Sequence, residues 1–220
     1  MRTKRQTTVI LANGDFPQKG GAAFSALAAA RRVVACDGAA DAYRRRFRRA
    51  PDVTIGDLDS LKGRPPRGAT CVRVAEQDDN DLAKAVAYCR AQGWRNLVIV
   101  GATGKREDHT LGNIFRALEA GLPVVTDFGT FHPLDGRRRF RVAVGTAVSV
   151  FAPDPSTRMT STGLVWPLAG VAFRTLYTAT LNRASARTVT LASDRPVFVY
   201  IAHAVTEPPA SSHPEKENEQ

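Results

Sequence analysis

Through about Asp127, short apolar runs alternate with longer stretches of helical periodicity, and beyond Phe128 that periodicity stops. Parallel strands need a long crossover between them, usually a helix, so the first half reads as a parallel α/β sheet. The apolar runs predict strands at Thr8–Ala12, Val33–Cys36, Val53–Ile55, Thr70–Val74, Leu97–Val100 and Val124–Asp127. Helical stretches lie between them. Leu82, Val86 and Cys89 share one helix face and Gly93 supplies a stop; Leu111, Ile114, Phe115 and Leu118 do the same up to Gly121. The second half reads as strands alone: Arg139–Ala143, Ala147–Phe151, Leu164–Leu168, Thr188–Leu191 and Val197–Ile201, punctuated by Gly, Pro and Asn. The expected fold class is therefore α/β. A domain built on a mostly parallel sheet (residues 1–135) precedes a small all-β sandwich (136–206), with the join near Phe128 to Gly136. The polar, Pro-rich segment 207–220 is expected to be disordered.

The 220 residues give ample core for one large or two small domains, and no apolar run approaches the roughly 20 residues needed to span a bilayer. The basic start MRTKRQ leads into too short an apolar stretch for a secretory signal, which points to the cytoplasm. Cys36, Cys71 and Cys89 are odd in number and lack CxxC spacing, and the four histidines are scattered, so neither a disulfide framework nor a zinc site is expected. Net charge is +10, with arginine dense at Arg44–Arg49 and Arg137–Arg141. Such a surface attracts phosphate, but no zinc finger, RNP-type strand or basic zipper is visible, and the arginines read as solvated faces.

In open α/β sheets, ligands bind beyond the carboxyl ends of the strands. Asp37 directly follows one strand, Gly56-Asp57-Leu58-Asp59-Ser60 follows the next, and Gly101–His109 (GATGKREDH) follows LVIV. Asp81 opens the helix after the strand ending at Val74. All four segments should line one sheet edge. Asp57 and Asp59 alone could be a solvated turn. Asp37 and Asp81 on the same edge add repulsion that a hard divalent cation relieves, and carboxylates with phosphate oxygens are what Mg²⁺ prefers. Asp78 and Asp79 have a competing role as helix caps and stay outside the metal shell. In GATGKREDH, Gly101 and Gly104 let backbone amides approach an anion, Lys105 and Arg106 add charge, and a helix beginning near Thr110 points its N-terminus at the same place. The loop is not a Walker A motif. Asn13-Gly14-Asp15 follows the first strand onto the same edge.

Taken in order, ILANGDFP (10–17), CDGAAD (36–41), PDVTIGDLDSL (51–61), EQDDNDLAKAV (76–86) and VGATGKREDHTLGNI (100–114) resemble the thiamine pyrophosphokinases, and STGLVWPL (161–168) and TLNRA (180–184) look like that family's second domain. The resemblance implies a nucleotide-binding α/β domain, a β-sandwich that binds thiamine and dimerises, and a homodimer with sites at the subunit interface. It implies Mg²⁺ on Asp57, Asp59 and Asp81, with Asp37 completing the acidic, catalytic cluster. ATP phosphates would be lined by Gly104, Lys105, Arg106, Asp108 and His109, joined by Gly56, Ser60, Gln77 and Thr103. Thiamine would lie near Asn13, Gly14, Trp166, Leu181 and Asn182, the last three donated by the partner subunit. Trp166 is either a stacking surface or sandwich core. Several positions depart from the commonest family pattern: Leu58 between the two aspartates, Glu76, Asn80 in place of the usual Thr, and Lys105 in place of the second Gly of a GGR run.

The implied reaction is attack by the thiamine hydroxyl on the β-phosphorus of ATP, with AMP leaving. Two rivals are a related Mg²⁺-dependent phosphotransferase acting on another heterocyclic alcohol, and a basic nucleic-acid-binding protein. Carboxylates at the sheet edge would repel a nucleic-acid backbone, so neither a nucleic-acid partner nor a membrane is expected.

Overall fold

A computed structural model describes residues 7–56, 70–74 and 79–203. Strands β1 (Thr8–Leu11), β2 (Arg32–Cys36), β3 (Val53–Gly56), β4 (Thr70–Arg73), β5 (Leu97–Val100) and β6 (Val124–Val125) are parallel and stand in the order β6-β5-β1-β2-β3-β4. Helices α1 (Ala22–Ala28), α2 (Ala39–Phe47), α3 (Asp81–Ala91) and α4 (Glu107–Glu119) lie along this part of the chain.

Alternate side chains of a strand face opposite ways, and here both faces are covered. Val9, Leu11, Val33 and Ala35 pack with Ala23 and Leu27 of α1 and Ala39 and Tyr43 of α2. Ile10, Val34, Cys36 and Ile99 pack with Leu82, Ala85 and Cys89 of α3 and Ala117 of α4. That is why these strands read as continuous apolar runs. The first strand after β1 in sequence lies on one side of it and β5 lies on the other, so the winding direction reverses between β1 and β5. A crevice therefore opens at their carboxyl ends.

The sheet as a whole is mixed rather than mostly parallel. β7 (Gly129–Arg141) joins β6 antiparallel and pairs along its length with β11 (Thr188–Ala202). β11 also pairs with β8 (Ala147–Phe151) and β9 (Met159–Thr162), and β10 (Ala179–Arg183) pairs with β8, all antiparallel. The expected linker at 128–136 is thus mostly strand. Pro133 and Gly136 read as punctuation, yet Pro133 pairs with Phe198 beyond the two-residue reach of β6, where the missing N–H leaves no ladder partner unmet. The two strands expected at 188–191 and 197–201 are one, with a register shift between Ser193 and Val197.

Leu164–Leu168 does not form the expected strand. It makes only the isolated bridge of Leu164 with Ala184 and the Val165 N–H bond to the Arg183 carbonyl at 2.9 Å before a side chain takes over: the Trp166 N–H donates to Asn182 Oδ1 at 3.2 Å, Asn182 Nδ2 donates to the Trp166 carbonyl at 2.7 Å, and Pro167 has no N–H to give. The strand-rich part keeps a core of its own, including Leu134, Phe140, Val148, Val150, Phe173, Val189, Leu191, Val197 and Val199. Among the described residues no helix is long and apolar enough to cross a membrane.

Candidate active site

The loops after β1, β2 and β5 and the first turns of α3 and α4 enclose a cleft of about 400 Å³. Asn13, Gly14, Asp37, Asn80, Asp81, Gly104, Lys105, Arg106, His109 and Asn113 line it. It sits at the reversal point between β1 and β5.

The loops after β1 and β5 are bonded to each other through their backbones. Gly14 N–H donates to the Gly101 carbonyl and Asp15 N–H to the Thr103 carbonyl, each at 2.7 Å. A Cβ at position 14 would stand 2.3 Å from the Thr103 oxygen and 2.5 Å from that of Gly101, so only glycine allows this approach. Lys105 crosses the same gap with its side chain, donating from Nζ to the Asn13 carbonyl at 3.1 Å and to Asn13 Oδ1 at 3.0 Å.

The acidic wall is built from two strand ends and one helix start. Asp37 N–H donates to the Ile55 carbonyl, and the Asp37 carbonyl accepts from Ala40 at the start of α2. This fixes Asp37 as the residue where β2 turns away, 7% exposed. Its Oδ1 is buried without a hydrogen-bond partner. Asp81 opens α3, with Oδ1 3.6 Å from Lys84 Nζ. Gly56 closes the wall: a Cβ there would stand 3.1 Å from Asp37 Cβ and 3.5 Å from Asp81 Oδ2. A carboxylate oxygen with no donor, beside a second carboxylate and a bare backbone, is a site short of positive charge. Such hard oxygen ligands fit a divalent cation. Among the described residues no group of three or more His, Cys, Asp or Glu is placed to hold a metal. Asp57, Asp59, Ser60 and Gln77 lie outside the described residues.

Cys36 lies at the base of the cleft but is no nucleophile. Burial first, then the negative charge of Asp81, pushes its thiol far up. Opposite, α4 starts at Glu107, three residues before the expected Thr110, so Asp108 and His109 belong to its first turn. Arg106 bonds Asp108 through two nitrogens at 3.1 and 2.6 Å, and this pairing, followed by the His109 N–H, holds the Asp108 carboxyl below its usual range. Asp79 and Asp78 were expected as caps of α3. Asn80 does that work, with Oδ1 accepting from Ala83 N–H at 3.0 Å, while Asp79 pairs with Arg116 and Asp78 lies outside the described residues.

Of the expected site residues, Asn13, Gly14, Asp37, Asp81, Gly104, Lys105, Arg106 and His109 share the cleft, with Gly56 against its acidic wall. Thr103 and Asp108 stand just outside the lining. Trp166, Leu181 and Asn182 are on the strand-rich part, away from it. Trp166 is 57% exposed, which removes the core reading, and Leu181 is 83% exposed. Asn182 is buried and its amide is engaged by the Trp166 backbone and the Arg183 N–H. Four described non-glycine residues have positive φ: Asp37, Arg48, Lys105 and Leu181. Arg48 is the left-handed C-cap of α2. The other three are all expected site residues, in keeping with the tendency of backbone strain to collect where function needs it.

Residues 24–125 match the model described as the thiamin pyrophosphokinase catalytic domain, and residues 129–200 match the thiamin pyrophosphokinase substrate-binding domain. The chain belongs to the thiamin pyrophosphokinase family. The first match ends with β6 and the second begins with β7, where parallel pairing gives way to antiparallel. Over 104 residues the chain is 34% identical to thiamin pyrophosphokinase 1 of Caenorhabditis elegans; this stretch covers 42% of the chain and 43% of that relative's length. The fold is similar to the thiamin pyrophosphokinase of Candida albicans, at a TM-score of 0.76 and 14% identity over 91% of this chain and 90% of that one. It also resembles that of Bacillus subtilis, at a TM-score of 0.69 and 18% identity over 90% and 99% of the two chains.

Proposed function

We propose that this chain transfers a diphosphate group from ATP to the hydroxyl of thiamine, giving thiamine diphosphate and AMP. The observation that carries the reading is one cleft with the two carboxylates of Asp37 and Asp81 on one wall and Lys105 and Arg106 on the other, at the β1/β5 reversal point. Polyphosphate needs cationic donors along its length and a counter-charge at the acids, and this cleft offers both kinds of wall.

In the step, the thiamine oxygen forms a bond to the β-phosphorus while the bond from that phosphorus to the α,β-bridging oxygen breaks. The electron pair leaves with AMP, and the hydroxyl proton passes to a carboxylate, that of Asp81 on the acidic wall or that of Asp57. Lys105 and Arg106 take up charge that develops on the phosphate oxygens. Gly104 and His109 line the cleft beside them, Thr103 and Asp108 stand just outside it and Gly56 lies against the acidic wall; the family resemblance adds Ser60 and Gln77 to the residues that would bind ATP. Mg²⁺ held by Asp57, Asp59 and Asp81, with Asp37 beside them, would neutralise phosphate charge and orient the chain of phosphates.

In this reading, the α/β part up to about residue 135 handles the nucleotide, the strand-rich part handles the vitamin, and the molecule works as a homodimer. Exposed Trp166, Leu181 and Tyr177 support that assembly, since large apolar side chains left in water mark a contact surface. Trp166, its backbone held by the buried Asn182, and Leu181 would then meet thiamine beside Asn13 and Gly14 of the partner. The cytoplasm is the expected location, where the three cysteines stay free.

Incubation with thiamine, ATP and Mg²⁺ should yield thiamine diphosphate and AMP in equal amounts. Thiamine monophosphate with ADP would refute diphosphate transfer, and turnover only with other heterocyclic alcohols would refute the acceptor. Asp57→Asn and Asp59→Asn should each lower turnover by orders of magnitude without unfolding the chain.

A further inference from the structure

Asn80, the N-cap of α3, and Asn113 of α4 meet in the cleft lining. Asn80 Oδ1 is committed to capping α3. Its Nδ2 donates to Asn113 Oδ1 on α4 at 3.1 Å. Asn113 Nδ2 donates in turn to the Ala102 carbonyl, also at 3.1 Å, in the loop after β5. Two residues on, Gly104 N–H donates to Thr110 Oγ1 at 3.1 Å, and that hydroxyl is in reach of the Arg106 carbonyl at 3.1 Å. An unbroken run of bonds thus ties the residue preceding Asp81 to the loop that carries Lys105 and Arg106. Both amides point their donors the same way along it, an arrangement in which each bond polarises the next.

Capping alone does not require an asparagine. Serine, threonine or aspartate supplies the same acceptor to the helix start. An amide accepts from Ala83 at one atom and donates to Asn113 from another, whereas a hydroxyl would have to do both from one oxygen on a shorter stem. We propose that Asn80 and Asn113 form a positioning pair that fixes the acidic start of α3 against the cationic loop. On this view, the distance between Asp81 and Lys105–Arg106 is set by two amides rather than by the strands alone. The proposal rests on the reading of the cleft as a polyphosphate site. It assigns these residues no contact with the reacting atoms.

The test is a double-mutant cycle with Asn80→Thr, which keeps a capping oxygen and removes the Nδ2 that reaches Asn113, and Asn113→Leu, which removes both ends of the bridge. Displacing a reacting group by about 1 Å costs on the order of 100-fold in rate. Each single variant should therefore lose about 10- to 100-fold in kcat with a smaller change in the KM for ATP. Asn80→Thr should melt with the parent. The double variant should be no slower than the slower single, because one bridge is lost in all three. Mn²⁺ titrated with a non-hydrolysable ATP analogue, followed by electron paramagnetic resonance, should bind several-fold more weakly to both single variants. Parental kcat in Asn80→Thr, or losses that multiply in the double variant, would overturn the proposal. A parent chain unable to make thiamine diphosphate would instead overturn the reading beneath it.

Discussion

Replacing Gly14 by alanine tests how the cleft is held open. The added Cβ would lie 2.3 and 2.5 Å from two backbone oxygens, those of Thr103 and Gly101. An ordinary carbon–oxygen contact needs about 3.3 Å, so the loops after β1 and β5 must part by about 1 Å. The 2.7 Å bonds from Gly14 and Asp15 would then stretch to about 3.7 Å, past the range of a hydrogen bond. Losing two such bonds, at about 1 kcal/mol each with a further cost for unmet donors, gives a destabilisation of about 2–4 kcal/mol. For a chain of this size that lowers the melting temperature by about 5–15 °C. The same separation widens the crevice by the displacement that costs on the order of 100-fold in rate. Thermal unfolding by circular dichroism and kcat/KM for thiamine diphosphate formation read the two effects. Gly112→Ala is the control: its Cβ meets nothing within 4 Å inside α4, and it should stabilise by about 0.5–1 kcal/mol. Parental melting and activity within about twofold for Gly14→Ala would refute the reasoning.

Lys105→Gly relieves a positive φ while deleting the ammonium, so stability should stay within about 1 kcal/mol while kcat/KM for ATP falls at least about tenfold, as steady-state kinetics would show. Asp37→Asn removes a buried carboxylate whose Oδ1 has no donor; the variant should melt at or above the parent temperature yet lose about 10- to 100-fold in turnover. Burial first, then the charges of Arg138 and His203, pushes His132 down to about 4, against about 6.5 in an unfolded chain. Its preference for the neutral ring is therefore fully present above about pH 6.5 and lost as pH falls towards 4, and His132→Gln should flatten the denaturation midpoint over that window.

Strands buried on both faces were the most legible part of this fold. Leu97–Val100 is read end for end, and so is the alternately buried Ala147–Phe151, because apolar residues held between Asn96 and Gly101 in one and between Thr146 and Pro153 in the other leave little choice of limits. Of β7 only the end is legible, in the expected strand Arg139–Ala143, since what makes a strand of the rest of Gly129–Arg141 is pairing with residues 188–202, far along the chain. α4 begins earlier than expected because the side chain of its N-cap, Arg106, accepts nothing from the helix's first N–H groups, leaving no cap signature to read. The convergence of Asp37, Asp81 and Lys105 follows from their places after strand ends and at a helix start on one sheet edge, which the order of elements alone predicts. Nothing in the sequence marks Asn113 beyond its place four residues after His109 on the same face of α4. Its partner Asn80 is 33 residues away, and local pattern carries no trace of such a bond. Trp166 was undecidable from sequence, since its exposure depends on the side-chain bonds of Asn182 that replace a strand ladder.

A crystal structure with thiamine, Mg²⁺ and a non-hydrolysable ATP analogue tests the central claim most directly. The account predicts the polyphosphate in the β1/β5 crevice, its oxygens within hydrogen-bond reach of Lys105 and Arg106, and a metal ion bonded to the carboxylate of Asp81 with Asp37 beside it. A nucleotide bound elsewhere on the chain, with that crevice filled only by water, would contradict it.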